Sequence, residues 1–178
     1  IEVISIDGRD VLELAEDEKL AIEQESILFF SADSRHNPRD IGRLLLALER
    51  GHDMVIASRF LHGGARHDRF QRLRYRSTGN RVLTLLADLL FFGNFSDTLS
   101  TFRAVKRLKL EEIRNSPKGL PGFYQLSIEA MRRHWNVGEV PTVELLSRDT
   151  NDRVKVALSV FPLLRVLVRE WYQSLWDK

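Results

Sequence analysis

The stretch ILFFSADS, residues 27–34, decides the fold class, because four apolar residues run directly into a polar turn. A short apolar run bounded by turn residues is typical of a buried strand. Side chains just beyond the carboxyl end of such a strand lie where α/β folds bind ligands. Asp33 holds that position, and its carboxylate is a ligand of the type that binds Mg²⁺ or Mn²⁺. The plainer interpretation is that Asp33 begins a turn or caps the next helix.

Strand and helix patterns alternate along the rest of the chain. Strands are predicted at residues 1–6, 26–30, 54–57 and 102–105, with an extended piece around 139–141. Helices are predicted at residues 11–24, 38–48, 77–92, 109–115 and 124–135, and a long polar loop at 58–76. This alternation predicts an α/β domain with a mostly parallel sheet flanked by helices.

Composition and charge narrow the function classes. The chain has 178 residues, of which 43% are hydrophobic and 29% charged, and this length and composition are typical of one globular domain. The formal net charge is only +2, but residues 59–81 contain seven arginines and a single acid, Asp68. Such a strip predicts an anionic ligand or surface. Nucleic acid is not expected, because aromatic residues do not interleave the strip in a stacking pattern. The absence of cysteine excludes a disulfide framework and a thiolate metal site.

Six short blocks resemble, in their order, a known family. The blocks are SADSRHNP at 31–38, GHDMVIASRF at 51–60, LHGG at 61–64, RYRS at 74–77, DTLSTFRA at 97–104 and GEVP at 138–141. Together they resemble family-2 glycosyltransferases of the dolichol-phosphate-mannose synthase-like kind. The resemblance implies a GT-A, Rossmann-like α/β domain over residues 1–150, shortened on its N-terminal side.

The resemblance also implies a reaction. Such enzymes move a sugar, a hexosyl group, from a nucleotide-diphosphate donor to a polyprenyl phosphate (dolichyl or undecaprenyl), with Mg²⁺ or Mn²⁺ and with inversion. The acceptor phosphate is already a nucleophilic anion, so no strong general base is required. Two anionic groups must be brought together, which calls for a metal at the donor and arginines at the acceptor.

The resemblance assigns the site residues by position. The implied catalytic residues are Asp33, Arg59 and Asp97. Asp33 is the implied metal ligand, and the implied donor-binding residues are Asp7, Ser31 and Asp33. The implied acceptor-phosphate residues are Arg59, Arg72, Arg74 and Ser77. The alternatives are a solvated loop or lipid-headgroup contacts for the arginines, a helix cap for Asp97 and a surface position for Arg103. We expect His36 to be structural.

Some positions depart from the family pattern. No segment corresponds to the family's first strand and its Pro-x-Tyr-Asn-Glu sequence. Asp7 stands alone where two aspartates are usual, and Ser31 replaces the first aspartate of the metal motif. These departures motivate a second hypothesis, a catalytically inactive GT-A-like module that binds a partner or lipid.

Residues 151–178 form a candidate membrane-facing segment. The pattern predicts two amphipathic helices separated by Pro162, with Leu164, Leu167, Trp171 and Leu175 on one stripe. Tryptophan and tyrosine near basic residues suit a membrane interface, although a core-packing helix has the same pattern. We expect a peripheral protein on the cytoplasmic face of a membrane. The sequence leaves the sugar and the oligomeric state open.

Overall fold

The structure, a computed structural model, describes residues 25–30, 36–61, 72–113, 117–143 and 152–176, with the backbone alone at 72–77 and 152–159. Within these residues the strands are β1 Ser26–Phe29, β2 Met54–Ser58, β3 Arg103–Lys106 and β4 Val137–Pro141. The helices are α1 Ile41–Glu49, α2 Arg72–Phe91, α3 Arg107–Glu111, α4 Leu120–Arg132 and α5 Asp152–Ser174, with a 3₁₀ turn at Pro38–Asp40 before α1. The strand and helix predicted at residues 1–24 lie outside the described part of the chain.

The described strands form a mixed sheet in the order β1-β3-β2-β4. β2 and β4 are parallel, whereas β3 is antiparallel to both β1 and β2. The three other strands therefore share one direction, and β3 alone runs against them. Arg103, the first residue of β3, pairs with Phe29 at the carboxyl end of β1. The loop that leads into β3 consequently starts from the carboxyl edge of the sheet, where α/β folds bind ligands.

Helices cover both faces of the sheet. Alternate residues of a strand point to opposite faces, and in β2 Met54 and Ile56 belong to one core cluster while Val55 and Ala57 belong to another. The first cluster includes side chains of α4, and the second includes Leu44 and Leu48 of α1. A third cluster joins α2, α4 and α5. This arrangement confirms the predicted α/β fold with flanking helices.

The beginning of α1 follows the local sequence closely. The Asn37 side chain accepts a hydrogen bond from the Arg39 amide at 3.2 Å, and Pro38 occupies the first turn. At the other end Gly51 has a φ of +102°, a conformation that side-chain-bearing residues rarely adopt. The helix predicted from this capping pattern is confirmed.

Two predictions about helices were wrong. α2 begins at Arg72, inside the segment that was predicted to be a polar loop. α5 is one helix with Pro162 inside it rather than two helices. Proline removes only one backbone donor, and the turn that follows it is anchored by Leu163, Val166 and Leu167, which are all buried.

The predicted apolar stripe of α5 lies mostly on the exposed side of the helix, which goes against the core-packing alternative for it. Of its four members only Leu167 is buried; Leu164, Trp171 and Leu175 are 38%, 42% and 52% exposed. The buried side instead carries Leu163 and Glu170, at 3% and 0% exposure. Glu170 is tolerated in the core because Arg132 of α4 pairs with it at 2.9 Å.

At the amino edge of the sheet, Asp53 ties three segments together. Its carboxylate accepts a hydrogen bond from the Asn136 amide at 3.0 Å and contacts Lys106 Nζ at 3.3 Å. Burial by itself raises the pKa of Asp53, but the hydrogen bond from Asn136 and the pairing with Lys106 outweigh it and leave the pKa below its ordinary value. Asp53 is therefore a carboxylate whose ionised form stabilises the fold.

Candidate functional site

A group of charged residues lies at the carboxyl edge of β2 and β4. The two strands are parallel, with Ser58 opposite Pro141, so their carboxyl ends meet at the same edge. Arg59 follows β2 directly, and the loop at residues 92–102 reaches the same place. The Ser58 and Ser96 hydroxyls are 2.5 Å apart, which connects this loop to the strand end. The edge therefore gathers side chains from segments that are distant in sequence.

Arg59 and Asp97 form a two-pronged ion pair at this edge. Arg59 Nε donates to Asp97 Oδ2 at 2.7 Å, and Nη2 donates to Oδ1 at 2.9 Å. The Arg59 amide also reaches Oδ2 at 3.2 Å, and Asn80 Nδ2 of α2 donates to Oδ1 at 3.2 Å. Asp97 has no exposed side-chain surface and Arg59 is only 16% exposed. The interpretation of Arg59 as a solvated loop arginine is therefore wrong.

Glu139, in the middle of β4, holds the backbone of the same loop. The Ser96 amide donates to both carboxylate oxygens, at 3.0 and 3.1 Å, and the Asp97 amide donates to Oε1 at 3.3 Å. Burial raises the pKa of Glu139, the neighbouring Asp97 carboxylate raises it further, and the hydrogen bonds from Ser96 and Asp97 offset only part of the rise. Glu139 belongs to the GEVP block of the family resemblance, which implies no role for it.

The side chain of Arg103 holds the loop at residues 92–102 through hydrogen bonds. Its side chain is completely buried, so the surface position considered for it was wrong. Its guanidinium donates to the carbonyls of Thr98 and Phe123, each at 3.1 Å, and through Nε to the carbonyl of Ser100 at 2.9 Å. Burial lowers the pKa of Arg103 to about 9, although the Asp97 carboxylate acts in the opposite direction. The loop is thus fixed at several points before it reaches Asp97.

Phe60 brings a second cation near Arg59. The Arg59 guanidinium carbon lies 5.6 Å from the centre of the Phe60 ring, and that of Arg81 from α2 lies 4.9 Å from it. Arg81 is exposed. Part of the arginine-rich strip therefore converges on the end of β2.

His36 lies at the next strand end. Its ring stacks on Phe102, with ring centres 4.7 Å apart and planes 11° apart, and Phe30 approaches both rings. Nε2 of His36 is 3.3 Å from the Thr101 hydroxyl. These contacts agree with the structural role expected for His36.

The structure does not describe the side chains of the other predicted site residues. Asp7, Ser31 and Asp33 lie outside the described residues. Arg72, Arg74 and Ser77 lie in the first turns of α2, where only the backbone is described. Of the predicted site residues, the structure brings together Arg59 and Asp97. Among the residues described, no three histidine, aspartate or glutamate side chains are close enough to hold a metal ion. No helix in the described ranges is both long and apolar enough to cross a membrane.

Comparison with known proteins identifies the fold first. A crystal structure of a mycobacterial protein superposes with a TM-score of 0.67 over 94% of this chain and 53% of that one, at 18% sequence identity. The mixed sheet with helices on both faces and this likeness fit the GT-A fold. Residues 21–114, just over half of the chain, match the model of glycosyl transferase family 2, and the chain belongs to that family.

Two relatives of known name extend the comparison. A polyprenol monophosphomannose synthase from Mycolicibacterium smegmatis is 32% identical over 114 residues, which are 62% of this chain and 42% of the relative. Glycosyltransferase AglJ from Haloferax volcanii is 26% identical over 147 residues, 82% of this chain and 46% of the relative. The aligned part of this chain covers less than half the length of either relative. The resemblance read from the six sequence blocks is confirmed at the level of the family.

Proposed function

We propose that the chain transfers a sugar from a nucleotide-diphosphate donor to a polyprenyl phosphate, with inversion, at the carboxyl edge of its sheet. Family membership supports transfer of a sugar, and the polyprenol monophosphomannose synthase supports the class of acceptor. The observation that carries the proposal is the buried, two-pronged Arg59–Asp97 pair at the end of β2. A guanidinium held in this way meets a phosphate with its orientation already fixed.

In this proposal Arg59 binds the acceptor phosphate and Asp97 fixes the direction of its guanidinium. Ser77, Arg72 and Arg74, from the start of α2, are proposed to complete the acceptor site. Asn80 supports this arrangement because it ties the same helix to Asp97. The acceptor is itself the nucleophile, so the protein contributes mainly charge and position.

The donor is proposed to bind on the side of β1, through Asp7, Ser31 and Asp33. Mg²⁺ or Mn²⁺ held by Asp33 would neutralise the diphosphate of the donor and stabilise it as a leaving group. The family match, over residues 21–114, includes Ser31 and Asp33.

The test begins with the donor. Calorimetric titration of UDP- and GDP-sugars in the presence of Mn²⁺ is expected to give binding of at least one of them. Transfer of that sugar to a polyprenyl phosphate should then follow. If neither nucleotide series binds, the proposed function is wrong.

We also propose that the protein works at a membrane surface, as a lipid acceptor requires, and that this surface is the cytoplasmic face. Exposed apolar residues recur every three or four positions along α2 and just past its end: Val82, Leu85 and Leu89 lie in the helix, and Phe92 follows it directly. α5 carries a similar exposed series, Phe161, Leu164, Val168 and Tyr172, and Leu175 follows the helix directly. Between residues 160 and 176 the single acid is Glu170, which is buried. Apolar stripes without exposed acids suit an anionic lipid surface.

Vesicle co-sedimentation tests this second part, with anionic phospholipid vesicles as the probe. Leu89→Ser should weaken binding, because Leu89 is 71% exposed on the proposed membrane side. Leu108→Ser is the matched control, since Leu108 is 69% exposed on α3. Equal effects of the two substitutions would contradict a membrane face on α2 and α5.

The alternative is a catalytically inactive module with the same fold, and Ser31 is the residue that favours it. Replacing Ser31 with aspartate restores the acid pair of the family's metal motif. A large gain of Mn²⁺-dependent donor binding in Ser31→Asp, over undetectable binding in the original chain, would favour the inactive module. Strong donor binding by the original chain would exclude it.

A further inference from the structure

Glu139 has a place in the site that the family resemblance does not assign. It is the only charged residue of β4, and in the sheet it lies opposite Ile56 of β2. Its carboxylate does not pair with a cation in any contact seen among the described residues. It instead accepts backbone hydrogen bonds from Ser96 and Asp97. A half-buried carboxylate used in this way fixes a peptide segment and not a cation.

The geometry forms a chain of two links, from Glu139 to the loop amides and from Asp97 to Arg59. Glu139 fixes the amides of Ser96 and Asp97, which sets the direction in which the Asp97 side chain leaves the backbone. Asp97 then fixes Arg59 through two side-chain hydrogen bonds, at 2.7 and 2.9 Å. Each link is shorter than 3.4 Å and has at least two hydrogen bonds, so a displacement at one end is transmitted to the other.

We propose that Glu139 is a positioning residue for the acceptor site: it orients Asp97, and through Asp97 the guanidinium that receives the acceptor phosphate. The inference rests on the proposed function. It adds that the acceptor site depends on a carboxylate that touches neither substrate. A misplacement of about 1 Å at a reacting group costs on the order of a hundredfold in rate. The consequence should therefore be measurable in the kinetics of the acceptor.

Two substitutions separate positioning from other roles. Glu139→Ala removes the acceptor of both amides, and we expect kcat/KM for the polyprenyl phosphate to fall about a hundredfold. Glu139→Gln keeps one oxygen at the place where Oε1 accepts from both Ser96 and Asp97. The glutamine variant should therefore retain activity within about tenfold of the original chain. Donor affinity should be unchanged in both variants.

The loop offers a matched control. Asp88 of α2 also uses its carboxylate to accept a loop amide, that of Phe95, at 3.1 and 3.2 Å, one residue before Ser96. Asp88→Ala should lower stability but leave kcat/KM for the acceptor within a few-fold, because it leaves residues 96 and 97 bonded to Glu139. An equal loss of acceptor kinetics in Asp88→Ala and Glu139→Ala would overturn the specific role of Glu139.

The full experiment measures donor dissociation constants and acceptor kcat and KM for the original chain, the three variants and Arg59→Lys combined with Glu139→Ala. In the Arg59→Lys background, Glu139→Ala should add less than about threefold, because both changes act on the same contact. Unchanged acceptor kinetics in folded Glu139→Ala, additive losses in the double variant, or a glutamine variant as inactive as alanine would each overturn the inference. Absence of transfer by the original chain would instead overturn the proposed function.

If Glu139→Ala does not fold, Glu139→Asp decides. Aspartate keeps the charge but retracts the carboxylate by one methylene, which lengthens the hydrogen bonds to Ser96 and Asp97. Positioning then predicts a loss of about tenfold in acceptor kcat/KM. Full activity of the aspartate variant would overturn the inference in favour of a purely electrostatic role.

Discussion

Replacing Arg59 with lysine should lower both stability and transfer, and the two losses have separate origins. In the folded protein Arg59 gives Asp97 two side-chain hydrogen bonds, at 2.7 and 2.9 Å. Lysine keeps the charge but has one point of contact, so one of these bonds is lost. A hydrogen bond to a charged group contributes about 1.5–3 kcal/mol, and a loss of about 2 kcal/mol in the free energy of unfolding is expected. For a chain of this length that is about 4–8 °C in Tm.

Urea denaturation followed by circular dichroism measures this loss. Arg43→Lys is the matched control, since Arg43 pairs with Asp40 at 3.0 Å but its side chain is 50% exposed. A pair whose arginine is this exposed to solvent contributes under about 1 kcal/mol. If Arg59→Lys costs no more than Arg43→Lys, the buried pair does not stabilise the fold as its geometry implies.

Arg59→Lys should slow sugar transfer by more than its loss of folding stability can explain. If Arg59 binds the acceptor phosphate, Arg59→Lys lowers transition-state stabilisation by about 2–4 kcal/mol, or roughly a hundred- to a thousandfold in rate. The affinity for the nucleotide sugar should stay the same, because the donor is proposed to bind at Asp33. Kinetics with donor and acceptor varied separately distinguish these effects. Unchanged turnover, or a loss limited to the donor, would mean that the acceptor phosphate does not bind at Arg59.

Three further predictions concern stability. Arg103→Met should cost about 3–5 kcal/mol in urea unfolding, because buried carbonyls lose a charged donor, and a cost below about 1 kcal/mol would contradict the contacts seen. Asp53→Asn should destabilise the fold by about 1 kcal/mol at pH 7. The pKa of Asp53 is lower in the folded protein than in the unfolded chain. Its contribution to the free energy of unfolding is therefore present above the unfolded pKa and is lost as the pH falls through the folded pKa. A stability difference between Asp53→Asn and the original chain that persists in acid would refute the assignment. Gly93→Ala would place a Cβ 2.6 Å from a methionine sulfur and should cost about 1–3 kcal/mol in thermal unfolding, whereas Gly42→Ala meets no atom within 4 Å and should be neutral or stabilising by up to about 1 kcal/mol.

The sequence predicted the layers of the fold better than the direction of one strand. Residues 102–105 were predicted as a strand, and β3 is found at Arg103–Lys106. The sequence of a four-residue strand such as β3 does not encode whether the strand runs with or against its neighbours. That direction depends on where the preceding loop enters the sheet. The pairing of Arg59 with Asp97 follows from that entry point, and so it was not predictable from the two motifs alone.

For α5 the sequence left open which side of the helix faces the core. Exposed apolar residues lie on one side of this helix and buried ones on the other, so hydrophobic periodicity cannot tell which side faces the core. Glu170 is the residue that marks the core side, but an acid is ordinarily taken as a sign of exposure. Its pairing with Arg132 of α4 removes that objection, and this pairing becomes visible only when the helices are placed.

The charges at the carboxyl edge bear on whether the chain is an active transferase or an inactive module. Asp97 and Arg103 are both fully buried, and taking such groups out of water costs several kcal/mol unless their partners are well placed. A fold that served only as a scaffold could fill this loop with apolar side chains at lower cost. The chain instead has an acid that pairs with Arg59, the residue next to β2, and a second arginine, Arg103, whose hydrogen bonds hold the loop that carries the acid. Ser31 and Asp7 depart from the family on the donor side, whereas Arg59, Asp97 and Glu139 are joined by hydrogen bonds among the described residues. Acceptor binding is therefore the function that these buried charges explain most directly, and donor binding is the measurement that separates the two hypotheses.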